Sequence, residues 1–118
     1  MITEDYVSFE TAKLLKEKGY KGSFDSYYND AGCVVDKPNF FLKVPEYQYY
    51  ERVSLQMAMK WLREVHNLLI VIDKGENFYA WQLEDNENGD YIGEVVGECS
   101  SYEEACEAAI EYCLTNLI

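Results

Sequence analysis

Residues 54–72, Ser-Leu-Gln-Met-Ala-Met-Lys-Trp-Leu-Arg-Glu-Val-His-Asn-Leu-Leu-Ile-Val-Ile, restrict the fold more than any other stretch, because a helical period runs straight into a strand. Leu55, Ala58, Leu62 and Val65 recur at helical spacing, with Met59 and Trp61 flanking the stripe. Ser54 is the expected N-cap, since its hydroxyl can accept a bond from an early helical amide. Asn67 suits the C-terminal end, where a short polar side chain tolerates left-handed backbone. Leu68–Ile72 is then continuously apolar and partly β-branched, the pattern of a strand with little exposure on either face. The rest of the chain is expected to cover this helix–strand unit.

A chain of 118 residues points to one domain, 1–118. With 48% apolar and 15% aromatic residues it can bury enough surface to offset chain entropy, which excludes wholesale disorder. No run approaches the roughly 18 apolar residues of a membrane span. The acidic start, Met-Ile-Thr-Glu-Asp-Tyr, lacks a basic region followed by an apolar core, so the expected location is the cytoplasm. Cys33, Cys99, Cys106 and Cys113 have neither zinc-site spacing nor disulfide geometry within one helix, and read as small buried hydrophobes.

Charge is distributed unevenly. All ten Lys and Arg lie at or before Lys74, whereas eleven of the 22 Asp and Glu follow it. Such a surface repels nucleic acid and anionic lipid and favours a basic protein partner, or serves solubility.

Taken in order, Val7–Gly19 reads as a short helix with Ser8 as N-cap, Glu10 in its first turn, Lys16 and Lys18 in its last, and Gly19 ending it. Phe9, Ala12, Leu14 and Leu15 form the expected buried face. The opening is shared with helix-turn-helix modules, but no second helix with a basic reading face follows. Residues 20–50 are punctuated by Gly22, Asn29-Asp30, Gly32, Pro38 and Pro45, and crowded with aromatics. They read as a loop folded over the core, with a short strand at Cys33–Val35 or Phe40–Val44. Alternatively, Tyr49 and Tyr50 belong to an exposed aromatic contact surface, as does Trp61 on the central helix.

Downstream, Lys74–Asn77 is a turn and Phe78–Glu84 a strand, with Tyr79, Trp81 and Leu83 on one face. Asn88-Gly89 favours a tight hairpin turn into a third strand, Tyr91–Glu98. Apolar residues on both faces of this meander imply cover on both, by helices or a second subunit. Ser101-Tyr-Glu-Glu104 is a capping box opening a helix to about Leu117, which buries Ala105, Cys106, Ala109, Ile110, Cys113, Leu114 and Leu117. Glu103, Glu107 and Glu111 repeat every fourth residue along its other side without a compensating base, and are the candidate interaction residues. The predicted fold is α+β: an α-β-β-β-α core around a three-stranded antiparallel meander, with an N-terminal helix and an aromatic-rich loop.

Residues for catalysis are not apparent. His66 is the only histidine and cannot form a multi-histidine metal site. The run Glu84–Asp90 echoes a calcium loop but has Glu84 where Asp is expected and Val95 where a bidentate Glu must stand. The α-β-β-β-α order is that of double-stranded-RNA-binding domains, yet Tyr102, Glu103 and Glu104 occupy the positions where those domains place phosphate-binding lysines. No cofactor, metal or catalytic residue is therefore expected.

Three segments, Val7–Gly19, Ala58–Asn67 with its Trp-Leu-Arg-Glu core, and Ser101–Ile110, resemble small uncharacterised proteins carried by phages and mobile elements of gut bacteria. The resemblance implies such an origin and brings no activity or site residues. The strand–Gly–Ser-x-Glu-Glu-Ala ending is also similar to antitoxins of the HicB type, although those lack the preceding helix. The expected function is a non-enzymatic acidic protein-interaction module. A homo-oligomeric structural protein and an antitoxin-like protein are the alternatives.

Overall fold

In the computed structural model, which describes residues 3–22, 26–36, 49–92 and 97–118, Asn67 is the one non-glycine with left-handed backbone among those residues, at φ 58°. It joins helix α2 (Leu55–His66) to strand β4 (Leu68–Lys74), so the helix stops and the strand starts where the periodicity changes. The chain divides into two compact units, Met1–Ser54 and Leu55–Ile118. Both mix helix with antiparallel sheet, and the α+β class holds.

In the second unit, β4 pairs with β5 (Tyr79–Asp85), and β5 with β6 (Gly97–Cys99), giving the antiparallel order β4-β5-β6. With α2 before it and α3 (Tyr102–Tyr112) after it, the expected α-β-β-β-α core is present. Leu68, Ile70 and Ile72 lie opposite Asp85, Leu83 and Trp81 and so share a face with them. Helix α3 packs there: Tyr112 meets Trp81 at 5.5 Å with the rings tilted by 47°, and Tyr102 meets Tyr79 edge-on at 6.3 Å. Helix α2 packs against both β4 and α3. Leu62, Leu83, Ile110 and Leu114 are fully buried.

Several local expectations change. Val65 is 61% exposed, because the buried arc of α2 runs through Leu55, Ala58, Met59 and Leu62 and leaves Val65 outside it. Leu117 is exposed as well, at the end of a π-helical turn (Cys113–Leu117) that follows α3 and rotates the last side chains out of register. Ser101 Oγ does accept the Glu104 N–H at 3.1 Å, but the Glu104 carboxylate turns to the N–H and hydroxyl of Ser100 rather than back to Ser101. The β4–β5 turn closes through the Gly75 N–H on Phe78 O. Asp85–Asp90 forms a wider loop than a two-residue turn: Asp85 Oδ1 accepts the Glu87 and Asn88 amides, and only Gly89 has positive φ, 77°. The third strand is also divided. Tyr91 bridges Glu84 whereas Gly97 pairs with Trp81, two registers that differ by three residues, with 93–96 outside the described residues.

In the first unit, α1 (Phe9–Glu17) starts at Ser8, whose Oγ accepts the Thr11 N–H at 3.2 Å. Gly19, at φ 93°, ends it in a Schellman turn: Tyr20 N bonds Leu15 O, and Gly19 N bonds Lys16 O. Buried on α1 are Thr11, Ala12 and Leu15, while Phe9 and Leu14 are half-buried. The aromatic stretch, expected as a loop, contains a second three-stranded sheet. Strands β1 (Ser26–Asn29), β2 (Val34–Asp36) and β3 (Tyr49–Glu51) stand in the order β2-β1-β3, antiparallel throughout. The strand expected near Cys33–Val35 is β2, one residue later; the alternative at Phe40–Val44 lies outside the described residues. Asn29 makes the β1–β2 turn, its Oδ1 accepting the amides of Ala31 and Cys33 while Gly32 takes φ 79°.

Candidate functional site

The two units differ in charge. Leu55–Ile118 contains thirteen Asp and Glu against three Lys and Arg, whereas the first unit has nine against seven. Along α3, Glu103 and Glu111 are exposed and Glu107 is half-buried, so the expected row of three is unequal in its access to solvent. Glu103 sits in the first turn, where the helix dipole favours it.

A second acidic group, which sequence reasoning missed, lies on the β4-β5-β6 face turned away from Trp81 and Leu83. Pairing of Leu69 with Glu84, Val71 with Gln82, Asp73 with Ala80, and Ala80 with Glu98 puts all of them on that face, together with Tyr91 opposite Glu84. Leu69, Val71 and Ala80 are half-buried there, Asp73 and Glu98 exposed, and Tyr91 68% exposed. Gln82 Nε2 donates to Asp73 Oδ2 at 3.0 Å, holding one carboxylate beside the apolar strip. The signal was in the alternation of 79–85, but the register that joins it to Asp73 and Glu98 is not visible in one sequence.

Tyr49 and Tyr50 do not form one surface. They are neighbours on β3 and point to opposite faces of their sheet. Tyr50 meets Phe9 edge-on at 5.6 Å with Lys16 Nζ 4.9 Å from its ring centre, and Phe9 also meets Tyr28 at 5.7 Å. Tyr28 Oη donates to Val7 O at 2.6 Å. Tyr49 meets Tyr27 edge-on at 5.6 Å, and its carbonyl accepts from Lys16 Nζ at 2.8 Å. Trp61, on α2 in the other unit, is half-buried and meets His66 edge-on at 4.7 Å. Tyr50 and Trp61 thus have packing roles within their own units.

The groups with reactive chemistry are placed as follows. Burial pushes the Cys113 thiol up to about 12, and raises that of Cys106 as well. Cys99 is raised by burial and by the charge of Glu104, and Cys33 is exposed. Thiols held neutral are poor nucleophiles. Asp85 is held below the usual carboxylate range by the Glu87 N–H, by the Asn67 side chain and by the Asn88 N–H. It uses its lone pairs to shape the hairpin. Among the described residues no three His, Cys, Asp or Glu side chains come together to hold a metal ion, and no helix is long and apolar enough to cross a membrane.

Comparison of the chain with protein-family models, with curated proteins and with solved structures finds no match.

Proposed function

We propose that the protein is a non-enzymatic acidic interaction module whose second unit engages a basic protein surface. The observation that carries the reading is the thirteen-to-three excess of acids over bases in Leu55–Ile118, set against near balance in Met1–Ser54. Solubility alone would be served by charge on both units; concentration on one builds a directional field that steers a basic partner. Glu103 and Glu111 stand exposed on α3, and the neutral buried thiols of Cys106 and Cys113 offer no nucleophile. A phage or mobile-element origin and a cytoplasmic location are part of the same proposal.

The test is a tagged pull-down from bacterial lysate with stepped salt elution, run in parallel with a Glu103→Gln, Glu107→Gln, Glu111→Gln variant. The reading expects a basic protein that elutes at moderate salt and is depleted several-fold on the variant. Equal capture by both proteins would sink the role of α3. The second reading, self-association, draws on Tyr91 at 68% exposure, on the sheet face that also carries Leu69 and Val71. A doubled mass in solution would favour it over the first.

A further inference from the structure

Strand β4 lies at an edge of its sheet, hydrogen-bonded to β5 on one side only. Which of its amides are free follows from the ladder. Asn86 N bonds Asn67 O at one end and Gly75 N bonds Phe78 O at the other, in the same register as the β4–β5 pairs. Hydrogen-bonded pairs alternate in an antiparallel ladder, so Leu69, Val71 and Asp73 turn their backbone groups to β5. The N–H and C=O groups of Leu68, Ile70, Ile72 and Lys74 point the other way, and among the described residues no backbone hydrogen bond crosses that edge. Seven residues is long for an unpaired edge, and β4 is lightly guarded: it has no proline and no bulge in the register, and its only charges, Asp73 and Lys74, stand at its end.

Resting on the acidic-module reading, we propose that the free edge of β4 takes up an extended, lysine- or arginine-bearing segment of another polypeptide as an added strand. Backbone pairing supplies the affinity and side-chain chemistry the choice of partner. The choice follows from what flanks the edge. Leu69 and Val71 offer apolar contact on the outer face and Asp73 offers charge beside them, with Glu84 one strand further in, so alternating β-branched and basic residues fit there. A second copy of this chain would bring the same acidic unit against the first, with like charges close together.

The probe is a capped peptide of alternating lysine and valine, seven residues long, titrated into the 15N-labelled full chain. The expected result is that the amides of Leu68, Ile70 and Ile72 shift and gain exchange protection, while those of Leu69 and Val71 stay as they were. Methylating alternate peptide nitrogens should weaken binding at least about tenfold, since it removes the donors and leaves the charge. A glutamate–valine peptide should not bind. If the lysine peptide moves only α3 amides, the edge proposal is overturned and the acidic-module reading stands. If no lysine peptide binds anywhere, both fall. Equal binding of the glutamate peptide, or edge amides already protected in a dimer, would overturn the proposal on partner chemistry alone.

Discussion

Asn67 concentrates the conformational cost of the helix-to-strand junction in one residue. At φ 58° a β-branched side chain is strained, so Asn67→Val should lower stability by about 1–3 kcal/mol, with Asn67→Gly costing less, as read by urea unfolding. Gly97 is constrained in a different way: a Cβ there would run into the Trp81 indole. Gly97→Ala should cost about 1–3 kcal/mol and shift the tryptophan emission as the ring is displaced. Cys113 makes a prediction in pH. Its folded thiol is pushed up to about 12 from an ordinary value of 9.0, so above pH 9 the unfolded chain releases a proton that the folded one keeps. Stability should therefore fall between pH 9 and 12, by at most about 1.4 kcal/mol per pH unit from this group. Cys113→Ala should flatten that slope without abolishing it, because Tyr20, raised by burial and by Glu51, titrates in the same direction.

At the scale of elements, legibility followed how strongly each segment repeats. The α2–β4 unit was readable because Leu55, Ala58 and Leu62 mark a helical face and Leu68–Ile72 has no polar interruption. Val65 was misassigned because it borders the buried arc, where one sequence does not show which neighbour ends the cover. Strands β1 and β3 were missed because Tyr27, Tyr28, Tyr49 and Tyr50 put similar side chains on both faces, which hides the period of two. The acidic row on α3 was visible by spacing, whereas the group on the outer sheet face depends on pairing between distant residues. Caps were readable in part: Ser8 and Ser101 both accept the expected amide, but Glu104 chose Ser100. Ser101→Ala should cost about 1 kcal/mol in thermal or urea unfolding, since nothing replaces its bond at the start of α3.

At the scale of the molecule, charge separates the two units as clearly as topology does. Ten excess negative charges in Leu55–Ile118 repel one another, and raising salt from low to physiological strength should increase the melting temperature of that unit. The near-balanced first unit should respond much less. The placement of the rings allows this to be seen in one cuvette. Both indoles of the chain, Trp61 and Trp81, lie in the acidic unit, and seven of the eleven tyrosines lie in the other. The protein is thus optically labelled by its own composition. Excitation at the red edge of the absorption band reports on the acidic body alone, and a partner binding there would announce itself in tryptophan emission before any dye is attached.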